Sequence, residues 1–438
     1  MSVNVKTFFQ ATNPGKALFT DNQEIEEKYY IDFSSVRGGK IIEDLKDNIA
    51  MWSPDEPTCQ LFTGHIGCGK STELWLLKQQ LEAEGFHVVY FESDKDLEMG
   101  DLDVSDILLT IARQVIESLN TREKLNLGEP TRLNSLIEGA IKLLQTEIEI
   151  SPEFELSFGI AKITAQAKAS PQLRSKLRDY LGPRSNGIIE TINQELLEPA
   201  HKKLKQRGKN GLVVIVDNLD KVDSSPKPWG RPQPEYLFVD RGEQLASLHC
   251  HVIYTLPLAL RFSNDFNTLT QRFKSDPQVL PMVSIQLRDG KEFGEGMAKL
   301  RQLVLARAFP HLEEQQRLEK ITEIFDSTET LDYLCKMSGG HVRNILRILN
   351  DAIKKQKGLP ISSENLNKVI QNFRNERTLA VEDQEWELLR QVAQTKKVKG
   401  DDGYQRLIRS MFVYEYRDDE GSWFDINPIL KDSVELKK

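Results

Sequence analysis

The octapeptide Gly64-His65-Ile66-Gly67-Cys68-Gly69-Lys70-Ser71 fits the pattern G-x-x-x-x-G-K-[ST]. A short apolar run, Cys59 to Thr63, precedes it and a helix-patterned stretch, Thr72 to Glu84, follows. A strand that passes through glycines directly into a helix N-terminus is a phosphate-binding P-loop in its proper setting, and it commits the chain to a layered α/β arrangement. Glycines let the backbone turn back on itself, so that successive N–H groups and a helix N-terminus aim at phosphate oxygens. The residues expected to hold ATP are therefore Gly64, His65, Ile66, Gly67, Cys68, Gly69, Lys70, Ser71 and Thr72. Lys70 is expected at the β and γ phosphates, and the Ser71 hydroxyl on Mg²⁺.

A chain of 438 residues exceeds what one hydrophobic core organises, which predicts two or three domains. With 39% hydrophobic and 28% charged residues it has the composition of a soluble globular protein. Its formal charge of −8 gives no global reason to expect a nucleic-acid partner. The four cysteines, Cys59, Cys68, Cys250 and Cys335, lack C-x-x-C spacing, which argues against a disulfide framework or a zinc site and fits a reducing cytoplasm. The stretch Met1 to Gly15 has no basic segment followed by an apolar core, and no run approaches the roughly 18 apolar residues of a membrane span. The expectation is a cytoplasmic protein without a membrane partner.

Periodicity divides the chain into an N-terminal segment (1–50), a P-loop core (51–288) with an insert (128–183), a helical unit (289–378) and an end domain (379–438). The predicted class is α/β: a P-loop NTPase parallel sheet with a helical lid and a small winged-helix-like C-terminal domain. His87–Phe91, Leu212–Val216, His251–Thr255 and Leu280–Ile285 read as further strands, and the β-branched run Leu212–Val216 is fit for burial on both faces. The insert reads as a helix, Leu133–Thr146, and a hairpin pairing Phe154–Phe158 with Lys162–Ala165 around Gly159. A further helix, Gly187–Gln206, returns the chain to the sheet, and helical patterns run on through Glu292–Ala308, Glu313–Phe325, Glu329–Met337, Val342–Gln356 and Ser363–Arg377. Helices at Gln384–Ala393 and Tyr404–Phe412 then precede a hairpin, Val413–Tyr416 with Trp423–Ile426.

Asp217, ending the clearest strand, is the expected carboxylate for the Mg²⁺ water shell opposite Ser71. The next position, where hydrolysing P-loop enzymes often carry a glutamate to orient water, is Asn218, and Asp220 is the substitute base. Thr255 ends a neighbouring strand and is a candidate hydroxyl for the γ phosphate. Arg272, with Arg261 as rival, is a candidate to act across a subunit boundary. Ser338-Gly339-Gly340-His341-Val342-Arg343 opens a helix and places Arg343 to reach back to phosphates, while Arg37-Gly38 is expected near the adenine. His249-Cys250-His251 cannot chelate together, because adjacent strand residues point to opposite faces. Trp423, Phe424, Tyr414 and Tyr416 read as hairpin packing.

Together these segments resemble the AAA+ superfamily and its signalling relatives. The run Val213–Lys221 is similar to the NACHT and KAP branches in the spacing of Asp217 and Asp220. The glycine-arginine helix and the tail resemble the STAND signalling ATPases and the archaeal origin-recognition initiators. Two departures stand out: Asn218 replaces the usual acidic residue, and Lys221 stands where NACHT proteins carry a glutamate. The resemblance implies an ATP-binding switch with low ATPase turnover. Its expected output is a change in homo-oligomeric state or in contact with a protein partner or separate effector chain, as in bacterial signalling or defence. The rival reading is a DNA-handling AAA+ ATPase, an initiator or loader, which the 13 acidic and 10 basic residues of Leu379–Lys438 disfavour. A small-molecule phosphotransferase is the third.

Overall fold

The computed structural model describes residues 3–15, 18, 28–125, 131–144, 156–400 and 402–437. A five-stranded sheet is built from β1 (Cys59–Gly64), β2 (Phe86–Glu92), β3 (Gly211–Asp217), β4 (His251–Thr255) and β5 (Gln278–Leu280), in the order β2-β3-β4-β1-β5. β2 pairs with β3, β3 with β4 and β4 with β1, all parallel. Every residue of β3 is buried, as its β-branched run requires of a strand covered on both faces. Parallel pairing needs crossovers, and the helices Lys70–Ala83 and Val104–Arg122 supply them around β2. The second starts at Asp103, whose side chain forms a capping box with Asp106. Because the strands are parallel, the ends of β1, β3 and β4 share one edge of the sheet: Thr255 stands opposite Phe62, and Val216 opposite Tyr254.

The chain divides into two compact units. One comprises 42–63 and 73–278, the other 1–41, 64–72 and 279–438. Each has its own core, the first around β3, β4 and the Val104–Arg122 helix, the second around the helices Gly294–Ala308, Thr328–Ser338 and Val342–Gln356. The P-loop residues 64–72 group with the second unit.

Two predicted elements differ. The hairpin around Gly159 is instead a helix, Leu156–Ala169, while Phe154 and Glu155 lie outside the described residues. The buried positions Leu156, Gly159, Ile160, Ile163, Thr164 and Ala167 follow the 3.6-residue period, which outweighs the short alternation Phe154, Leu156, Phe158. The predicted strand Leu280–Ile285 stops at Leu280. Beyond it the N–H groups of Met282, Val283 and Ser284 donate to the carbonyls of Glu415, Gly340 and Val36, so this segment bonds to three other parts of its unit instead of to a strand neighbour. The remaining helices follow the pattern closely, except that Glu313–Phe325 forms two short pieces, Glu314–Leu318 and Ile321–Ile324. The tail hairpin pairs β6 (Val413–Asp418) with β7 (Gly421–Ile426), Tyr416 opposite Trp423 with ring centroids 4.5 Å apart. Among the described residues no helix is long and apolar enough to cross a membrane.

Candidate functional site

Within the unit that holds the P-loop, three consecutive loop carbonyls are each engaged by a donor from outside the loop. The Ile66 oxygen lies 2.9 Å from Nε2 of His341. The Gly67 oxygen accepts from the Arg343 backbone N–H at 3.1 Å, and the Cys68 oxygen accepts from Nη2 of Arg37 at 2.7 Å. In a trans peptide the carbonyl and the following N–H point in opposite directions, so the N–H groups of Gly67 and Gly69 face away from these partners. The Cys68 N–H closes a turn onto the His65 carbonyl. Lys70, 6% exposed, opens the Lys70–Ala83 helix and donates through Nζ to the Gly64 and His65 carbonyls, both at 2.9 Å. Gly67 is obligatory twice over: its φ is +88°, and a Cβ there would lie 2.9 Å from both the Arg343 Cβ and the His341 ring.

The Val342–Gln356 helix is brought to the loop by its N-terminus. His341 is the N-cap, its Nδ1 accepting from the Asn344 N–H at 3.0 Å. With Nδ1 an acceptor, Nε2 carries the hydrogen and donates to the Ile66 oxygen. Burial, foremost, drives the His341 pKa down to about 3, which keeps the ring neutral. The preceding Gly340 has φ +75° and a backbone so close to Val283 that any Cβ would collide with that carbonyl. Arg343 itself is exposed: its backbone, not its guanidinium, makes the bond to the loop. Arg37 is 2% exposed, lies over the Phe33 ring and sits on the outer side of the loop through the Cys68 oxygen.

The other unit holds the carboxylates. Asp217 is fully buried at the end of β3, where Oδ2 accepts from the Tyr90 hydroxyl at 2.8 Å and Oδ1 from the Asn218 N–H at 2.7 Å. Asn218 takes a left-handed conformation, φ +66°, which Asn tolerates better than most residues. Its amide donates to Asp94 at 2.8 Å, as does Nζ of Lys221. Burial pushes the Asp94 pKa up, but the hydrogen bonds from Lys221 and Asn218 outweigh it and hold the carboxyl below the usual range. The two departures from the family pattern thus share one partner, Asp94, which stands just past the end of β2. Asp220, 6% exposed, lies in the short turn Leu219–Lys221 that follows. The Thr255 hydroxyl is committed locally, accepting from the Leu219 N–H at 2.9 Å and donating to the Val216 carbonyl at 3.3 Å. Arg272 closes the Phe266–Phe273 helix and pairs with Glu243 at 2.6 Å, apart from these groups.

Arg37, the loop residues and Arg343 are therefore assembled in one unit, and Asp217, Asp220 and Thr255 in the other. Tyr90, Asp94 and His341 are participants that sequence reasoning did not single out. His341 carried a readable signal, since it directly follows two glycines and precedes a helix pattern, the place of an N-cap. Among the described residues no cluster of His, Cys, Asp and Glu has the makings of an all-protein metal cage. A Mg²⁺ ion held through a hydroxyl, phosphates and water does not need one.

No family model matches the chain, and no curated protein matches it. Among solved structures it is similar to the ORC2 protein of Aeropyrum pernix in its ADPNP-ADP complexes, at 13% identity and TM-score 0.40, over 96% of this chain and 95% of that one. Cdc6p of Pyrobaculum aerophilum matches at 12% identity and TM-score 0.38, over 100% and 98% of the two chains. The Drosophila ORC bound to DNA matches at 11% identity and TM-score 0.35, over 97% and 90%. At such scores the likeness carries no argument about activity, which has to come from the chain's own residues.

Proposed function

We propose that this chain binds ATP with Mg²⁺ on the Gly64–Thr72 loop, hydrolyses it slowly, and acts as a nucleotide-dependent switch of the AAA+ type. The observation that carries the reading is the outward pinning of the Ile66, Gly67 and Cys68 carbonyls, which leaves a cradle of backbone N–H groups ahead of a helix N-terminus. The residue chemistry fits the ligand. Lys70 supplies a buried ammonium for the β and γ phosphates, and Ser71 an oxygen for the metal. Asp217 accepts from Tyr90 and from the Asn218 N–H, and it would offer its carboxylate to metal-bound water. Mg²⁺ would neutralise phosphate charge.

Low turnover follows from the groups that surround Asp217. Asn218 is tied to Asp94 and is no base at neutral pH, and Thr255 is occupied by the Leu219 turn. Asp220 is the residue that would orient water, and Arg272 the charge offered to a second subunit. The output is a change in oligomeric state or in partner contact, set by differential contacts to the γ phosphate. The test is solution mass with ATP, with ADP and without nucleotide, alongside a direct binding titration, for wild type and Lys70→Ala. Identical mass and protease pattern in every state would rule the switch out.

A second reading, a DNA-handling ATPase, has one observation in its favour: the helices Asp383–Thr395 and Asp402–Arg409 followed by the β6–β7 hairpin have the order of a winged helix. Against it, several cations of this region are engaged by carboxylates. Lys396 and Lys431 both bind Asp425, at 2.9 Å each, and Arg406 pairs with Glu382. ATP-dependent duplex binding that collapses with added salt would establish this reading instead.

A further inference from the structure

The tail hairpin is bonded to the P-loop itself. In the unit that contains both, the backbone N–H of Glu415, in the middle of β6, donates to Nε2 of His65 at 3.0 Å. His65 is the first variable residue of the phosphate-binding octapeptide and is 2% exposed. Its ring lies edge-on to Tyr414 at 5.7 Å, and the His341 ring packs on the same tyrosine at 5.7 Å. The Tyr414 hydroxyl accepts from Nδ2 of Asn344 at 2.8 Å, and the Tyr416 hydroxyl donates to the Gly339 carbonyl at 2.9 Å. The Glu415 carbonyl takes the Met282 N–H at 2.9 Å. β6 is thus buried on both faces from Val413 to Tyr416, wedged between the loop histidine and the glycine turn of the helix that holds Ile66 and Gly67.

We propose that His65 is a positioning residue coupling nucleotide on the P-loop to docking of the C-terminal hairpin. This deepens the nucleotide-binding reading and rests on it. The ring can accept from Glu415 only through an unprotonated Nε2, so it is fixed as the neutral Nδ1–H tautomer. The carbonyl oxygen of the same residue accepts from Nζ of Lys70 and from the Cys68 N–H. Any adjustment of the loop backbone as Lys70 turns to phosphate therefore shifts the peptide that carries the His65 ring, and with it the acceptor for β6. The coupling is reciprocal: whatever nucleotide adds to hairpin docking, docking adds to nucleotide affinity. The moving part is not only the lid helix but the end domain, through one side chain.

The test compares wild type, His65→Ala and His65→Gln, whose amide oxygen can replace Nε2 as the acceptor. ADP with Mg²⁺ is the probe. Affinity is read by titration, and amide exchange of residues 413–418 is followed with and without ADP. In wild type, ADP is expected to slow that exchange about tenfold, a coupling of ordinary size. In His65→Ala the slowing should fall below about twofold and ADP affinity should weaken by the same factor, while His65→Gln should restore both. A change in thermal stability common to both variants, with the ADP response of the hairpin intact in His65→Ala, would overturn the coupling. So would failure of the Gln variant to restore it in a protein whose circular dichroism matches wild type. Absence of ADP binding by wild type would overturn the nucleotide reading along with the coupling; binding without a hairpin response overturns the coupling alone.

Discussion

The two halves of the proposed nucleotide machinery are supported in contrasting ways. The phosphate loop is braced by residues far away in sequence, its Ile66 carbonyl by a residue 275 positions on and its His65 ring by one 350 positions on. The carboxylate turn draws on neighbouring strands of the sheet. Asp217, Asn218 and Leu219 are held by Tyr90 and Asp94 at and just past the end of the adjacent strand and by Thr255 on the next. A turn built from neighbouring strand ends exists once the sheet forms. A loop held by a distant helix N-cap and, through the His65 ring, by a hairpin keeps its shape only while those elements are docked. On the proposed reading, the loop side would therefore report the state of the C-terminal region.

Breaking each side should separate the two. The largest effect is expected for Lys70→Ala, which removes the ammonium proposed for phosphate: nucleotide affinity should fall about 100-fold, roughly 3 kcal/mol for a charge-assisted interaction, measured by titration. Asp217→Asn keeps acceptor capacity for Tyr90 but loses the charge. ATP turnover should drop by about 100-fold, while ADP affinity measured without Mg²⁺ stays within about threefold. An equal loss of ADP affinity there would contradict the division between the two sides.

Smaller effects sharpen it. His341→Ala loses an N-cap and the bond to Ile66, about 2 kcal/mol together, and should lower both the unfolding midpoint and ADP affinity. Next is pH. The His341 pKa is about 3 when folded and 6.5 ordinarily. As pH falls below the ordinary value the unfolded chain takes up a proton that the folded chain refuses, so stability is lost between these values and retained above them. His341→Asn keeps a capping oxygen without titrating, and its stability between about pH 6 and 4 should fall less steeply than wild type by about 1.4 kcal/mol per pH unit. The mildest change is Asp94→Ala, which unties Asn218 and Lys221: about 1 kcal/mol of stability and no shift in ADP affinity. A loosened P-loop in this variant would show that the carboxylate side is not independent.

Much of this could be read from the chain before its fold was known. The octapeptide signals its own role because a glycine turn between strand and helix is a local requirement, met by adjacent residues. Leu212–Val216 is unmistakable for the same reason: five apolar residues in a row suit a doubly covered strand and little else. The Val342–Gln356 helix of the second unit carries a clear amphipathic period. Legibility failed where a short window supported two periods, as at Phe154–Ala165, and where an extended segment found unexpected partners, as at Met282–Ser284. It failed too for the ring partners of His65 and His341, which exist only once the tail and the Val342–Gln356 helix are brought to the loop.

The sequence by itself determined the glycine turn between strand and helix, the strand that ends in Asp217, the helical character of residues beyond 289 and the hairpin register, since each follows from propensity and pattern within about 20 residues. Only the tertiary structure decided which groups hold the loop carbonyls, which tautomers the two histidines adopt and which acid pairs with Asn218 and Lys221. Those choices rest on hydrogen bonds between buried groups remote in sequence. A buried donor is satisfied by whichever acceptor the packed fold brings within about 3 Å, and no local pattern names that acceptor.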